Sequence, residues 1–167
     1  MFKSHELLGF MSPALAKDIL GFTFESDKPA YKATLAAVAQ ARHLRPVFME
    51  RQPREQRDAT MLSTLTRPNM DAAAGALIRA WLVKKQKTLL MDFLSALEIK
   101  NEEGVVEDLP EAVDDAKLKA AVEGLLEKHP AETVVVYLHA FNEMNGANWA
   151  NLKTMLESDP RLQLGTH

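Results

Sequence analysis

The chain contains no cysteine. That excludes a disulfide framework, thiolate catalysis and every cysteine-based zinc or iron–sulfur site, and it suits a reducing compartment. Glycine is also scarce, with seven residues scattered singly. The Gly-rich loops that cradle nucleotide phosphates are therefore missing. Neither a Gly-x-Ser-x-Gly elbow nor a His-Glu-x-x-His zinc pair occurs. No apolar run approaches the roughly 18 residues of a membrane-spanning helix. The N-terminal stretch is broken by Glu6, Lys17 and Asp18, with no cleavage pattern of a secretory signal behind it. Together these absences describe a cytoplasmic protein without membrane association.

What is present is an ordinary globular mixture, 47% hydrophobic and 26% charged over 167 residues. That length suits one domain, which can bury a core without metal or disulfide support. Helical signals dominate. Ser12-Pro13 and Asp27 followed by Pro29 are helix starts, because the side-chain oxygen takes a free N–H and proline suits the first turn. Apolar residues then recur at helical spacing: Leu15, Ile19 and Phe22; Tyr31, Leu35 and Val38; Met61, Leu62 and Leu65. Residues 69–98 carry two stripes, one ending at Trp81 and Leu82 and one running from Leu89 to Leu97. The polar stretch 84–88 favours a break between them, with Thr88 as the cap, since globular helices rarely exceed about 25 residues. Pro110 opens another helix bearing Leu118, Val122 and Leu125, and Asn148 caps a last one bearing Trp149, Leu152 and Leu156.

Residues 131–144 are ambiguous, because Val134 to Tyr137 has strong strand propensity. Pro130 before it, Asn145-Gly146 after it, and the lack of any strand partner beyond Val47-Phe48 and Val105-Val106 favour a helix. The sequence thus predicts an all-α, single-domain helical bundle spanning 1–167, with about six to eight helices and short antiparallel connections. It would carry a Pro/Arg-rich irregular stretch at 45–57 and an acidic linker at 100–109. Residues 125–130 and 155–160 echo each other at an offset of thirty, both reading Leu-Glu shortly before proline. The remaining positions of a tetratricopeptide repeat are missing, so no family is assigned.

Net charge is only −3 but unevenly placed. Residues 42–87 hold ten Lys/Arg against four Asp/Glu, whereas residues 92–132 hold four against twelve. This asymmetry suits docking of a charged protein partner, or self-association of basic against acidic halves. Arg42, Arg45, Arg51, Arg54 and Arg57 form a candidate charged surface whose guanidinium forks match phosphate oxygens. Interspersed Glu50, Glu55 and Asp58, the lack of interleaved aromatics and a pI near 6.0 argue against a nucleic-acid binder.

The one constellation with chemical potential is His139 with Glu143, four residues apart on a helix, with Asn142 and Asn145 nearby. An imidazole and a carboxylate could serve one metal or one proton. Two ligands are too few for a stable site, however, and His5, His43, His129 and His167 show no ligand spacing. No metal or cofactor is called for. Trp81 and Trp149 belong to core stripes, as do Met61, Met70, Met91 and Met155, while Met11, Met49 and Met144 fall at segment ends where exposure is expected. The leading expectation is a small helical protein-interaction or scaffold module, leaning away from an enzyme. A small-molecule or metal-dependent enzyme built near His139 and Glu143 is the alternative, and a nucleic-acid-associated protein using the Arg cluster is a third.

Overall fold

The computed structural model describes residues 2–165, and His167 lies outside them. The described residues are all-α: ten α-helices and two 3-10 turns, with one isolated bridge between Glu102 and Val105. The count exceeds the six to eight expected because two of the ten are short, α1 (Ser4–Phe10) and α4 (Pro46–Glu50). The chain divides into two compact units, residues 2–81 and 82–165.

The first unit is organised around α3 (Lys28–Ala41), which touches α2 (Pro13–Ser26), α4 and α5 (Arg54–Leu65). The oxygen of Ser12 accepts from the Leu15 amide and a carboxylate oxygen of Asp27 from that of Ala30, as their positions before proline predict. The core here is Ile19, Leu20, Leu35, Val38, Met61 and Leu65, all 3% exposed or less. At the base of α6 (Asp71–Lys85), the Asp71 carboxylate accepts from the His5 amide at 3.1 Å and from its Nδ1 at 2.7 Å. Burial works against that charge, but the hydrogen bonds from His5 outweigh it and hold the carboxyl below its usual range.

The second unit is built on α9 (Ala131–Asn145), which is buried at every position from Thr133 to Asn142. α8 (Asp115–Lys128) and α10 (Ala150–Ser158) pack on it, and α7 (Lys87–Ala96) packs on α8. A helix buried all round has no polar face, which is why its sequence reads like a buried strand. It ends as predicted, with Gly146 at φ 64° and the Ala147 amide bonded to the Asn142 carbonyl at 2.8 Å. Phe93, Tyr137, Phe141 and Trp149 form one aromatic cluster around it.

Several boundaries differ from the sequence reading. The 45–57 stretch is largely helical, because Pro46 occupies the first position of α4 and Pro53 the cap position of α5. Proline there starts helices rather than breaking them. Helices α6 and α7 are separate, but the break falls at Gln86 rather than Thr88. Pro110 starts nothing; α8 begins at Asp115, where Asp114 accepts from the amides of Ala116 and Lys117. Trp149, not Asn148, caps α10, and it does so without a side-chain bond. The two halves of the thirty-residue echo mark the ends of α8 and α10, a shared stop signal rather than a repeat. Among the methionines, Met11 and Met49 are buried, while Met91 is 42% exposed because it falls on the face of α7 away from Leu89, Leu90, Phe93 and Leu94.

Candidate functional site

The most distinctive surface lies where α3 gives way to α4. Helix α3 closes with His43 at φ 57° and the Leu44 amide bonded to the Ala39 carbonyl at 2.8 Å. This is the six-to-one closure that glycine usually makes, and histidine is among the residues that tolerate it. The chain then enters α4 through Arg45 and Pro46. Five residues give little more than one turn, so only Met49, fully buried, anchors α4 to its neighbours. Phe48 is left 54% exposed, with Val47 and Leu44 each at 40%. Arg45 and Arg51, which flank α4, are exposed, as is Arg42, whose Nη1 donates to the Thr64 hydroxyl at 3.3 Å. The exposed part of these apolar side chains contributes nothing to folding, and aromatic residues with arginine are what binding interfaces favour.

The other two arginines of the cluster turn elsewhere. Arg54 lies over the Phe24 ring at 4.0 Å and pairs with Glu25 at 3.4 Å and Asp58 at 3.5 Å. Arg57 is only 9% exposed. Its Nε donates to the Tyr31 hydroxyl at 2.8 Å and its Nη1 to the Glu50 carbonyl at 3.2 Å. Tyr31 in turn donates to Asp58 at 3.0 Å. Burial, with the Asp58 carboxylate alongside, raises the pKa of the Tyr31 hydroxyl, so it keeps its proton for that bond. The five arginines therefore have different surroundings: Arg45 and Arg51 flank α4, Arg42 reaches Thr64 on α5, and Arg54 and Arg57 brace Phe24 and Tyr31.

In the second unit, His139 is 4% exposed and Asn142 3%, whereas Glu143 is exposed. Nε2 of His139 donates to the Leu162 carbonyl at 3.0 Å, and a carbonyl can only accept, so the proton sits on Nε2. Asn142 Oδ1 accepts from the Trp149 amide at 3.4 Å. These contacts tie α9 to the segments after it. Among the described residues no three His, Asp or Glu side chains converge to hold a metal.

Burial lowers the His139 pKa, opposed more weakly by the Leu162 carbonyl, so the native ring is neutral. Below the ordinary value of 6.5 the unfolded chain takes up a proton that the native state resists. The contribution of His139 is therefore complete above that value and declines as pH falls. Its ring resonances should titrate with a midpoint below 6.5 by NMR. The stability gap between wild type and His139→Gln should narrow as pH is lowered from about 7.5 to about 5. A midpoint at or above the ordinary value would contradict the neutral buried ring.

No helix among the described residues is long and apolar enough to cross a membrane. No protein-family model matches the chain, and no curated protein or solved structure is significantly similar to it.

Proposed function

We propose that this chain is a small helical protein-interaction module that docks its partner through the tip of α4. The observation that carries the reading is the exposure of Phe48 and Val47 on α4, and of Leu44 just before it, with exposed Arg45 and Arg51 at the two ends of that turn. An aromatic anchor inside a charged rim has the anatomy of a binding hot spot. The rim calls for an acidic partner surface. Residues 92–132, with twelve Asp/Glu against four Lys/Arg, give a second copy of the chain that charge, so self-association is one form of the same docking.

The test begins with native mass spectrometry of the chain at low and high ionic strength, which reads self-association directly. Partner capture with wild type and with Phe48→Asp as baits follows, and affinities are then measured on the purified pair. Phe48→Asp should weaken the complex about 30-fold or more, as loss of a central anchor does. Arg45→Ala and Arg51→Ala should chiefly slow association and flatten its salt dependence. A partner, or a dimer, that binds Phe48→Asp as tightly as wild type would exclude the α4 tip as the docking surface.

A further inference from the structure

Beside α2 and α3 the first unit holds a cleft of about 390 Å³, within the range of small-ligand sites. Its apolar part is Phe24, Leu35 and the ring of Tyr31. Phe24 and Tyr31 meet edge to face, 5.2 Å between centroids, so that wall is rigid. Arg57 also lines the cleft, and its burial is the unusual feature. A buried guanidinium is normally matched by a carboxylate, because stripping water from the charge is costly. Among the described residues the hydrogen-bond acceptors of Arg57 are a tyrosine hydroxyl and a backbone carbonyl, neither of them anionic. Arginine has five N–H donors and these bonds use two. Of the nearby carboxylates, Asp58 is engaged with Tyr31 and Arg54 and Glu25 with Arg54, while Glu50 lines the cleft and meets Arg57 only through its backbone carbonyl.

We propose that this cleft binds a small monoanionic carboxylate with a compact apolar or aromatic body. The carboxylate would take the open donors of Arg57, in the planar pairing that the guanidinium fork favours. The body would lie against Phe24 and Leu35. The charges on the rim select the valence of the ligand. Lys28, Lys32 and Arg54 add three positive charges, while Glu25, Glu50 and Asp58 subtract three, which leaves the single charge of Arg57 to be met. A phosphate dianion would bring excess negative charge beside two glutamates. A neutral amide of the same shape would leave the guanidinium without its counter-charge. This site is separate from the α4 docking reading and stands or falls without it.

The experiment is a titration of the full chain, isotopically labelled, with 3-phenylpropanoate and with its neutral isostere 3-phenylpropanamide, followed by NMR. The carboxylate should shift the resonances of Phe24, Tyr31, Leu35 and the Arg57 side-chain Nε–H. The amide should bind about tenfold more weakly or worse, the loss expected when a charge-assisted pair is removed. Arg57→Met should reduce carboxylate binding to the level of the amide. If Arg57→Met does not fold, Arg57→Lys keeps the charge but loses the fork, and binding should still weaken about tenfold. Shifts confined to other residues, equal binding of acid and amide, or carboxylate binding unchanged in the folded arginine variant would each overturn the assignment.

Discussion

Replacing Phe141 by alanine should cost about 4 kcal/mol of stability, the middle of the range for a buried aromatic. Phe141 is 0% exposed on α9 and is the hub of the aromatic cluster. Its ring centroid lies 5.3 Å from that of Phe93, 5.8 Å from Tyr137 and 4.7 Å from Trp149. The loss has two parts, the transfer of the ring itself and the cavity it leaves among rings that are each held by other contacts. Trp149 is fixed by its indole N–H, which donates to the Pro110 carbonyl at 2.9 Å, so it cannot swing in to fill the space. The measurement is urea unfolding followed by Trp149 fluorescence in a Trp81→Phe background, which isolates the second unit. The midpoint should fall with an unchanged slope. Phe141→Leu, which keeps much of the volume, should cost roughly 1.5 kcal/mol. A cost below about 2 kcal/mol for the alanine variant would mean that the cluster collapses around the gap.

The helices were legible where local chemistry and period agree. Ser12, Asp27 and Gly146 each sit at the helix end that their side chains or freedom at positive φ dictate. The stripe that ends at Trp81 and Leu82 and the one that opens at Trp149 are core, each tryptophan 1% exposed. What the period could not supply is a side chain's environment when the element is very short or wholly enclosed. Helix α9 shows the enclosed case, since a run such as Val134 to Tyr137 looks the same whether strand or helix surrounds it with core. Helix α4 shows the short case. In the sequence, Val47-Phe48 offered only a possible strand partner. It is the burial of Met49 beside them that turns them outward.

The candidate sites divide along the same line. Spacing alone placed His139 and Glu143 on one helix face, but their burial differs, and burial depends on packing across the unit. The five arginines share a stretch of sequence without sharing an environment. The distinction between Arg57 and the rest rests on Tyr31, 26 residues earlier, whose hydroxyl accepts its Nε proton. A signal was present, since Phe24 and Tyr31 are aromatic residues on the helices before an arginine-rich stretch. Only tertiary contact makes a cleft of them.

Replacing Gly104 by alanine should cost about 3 kcal/mol, although the sequence presents it as the middle of a polar linker. The structure instead closes residues 102–105 into a two-residue turn. The Glu102 amide donates to the Val105 carbonyl at 2.9 Å and the Val105 amide to the Glu102 carbonyl at 3.0 Å. Both central residues take positive φ, 52° at Glu103 and 88° at Gly104, the signature of the turn whose twist suits a hairpin. Gly104 is buried, and a Cβ there would stand 2.7 Å from Cβ of Leu90. That contact is with the root of a side chain on α7, which no rotamer change can withdraw. The penalty therefore combines left-handed backbone, about 1–2 kcal/mol, with overpacking, about 1–3 kcal/mol. Gly104→Asn separates the two, because asparagine tolerates positive φ but still carries a Cβ. Comparable losses in both variants would assign the cost to the collision with Leu90. Recovery of most of the stability by asparagine would assign it to the backbone. Glu103→Gly, by contrast, relieves a positive φ at the expense of an exposed pair with Lys87 at 3.2 Å, and should leave stability within about 1 kcal/mol of wild type. If Gly104→Ala cost less than that, the turn would not be seated on α7, and the segment would be the free linker that its charges suggest.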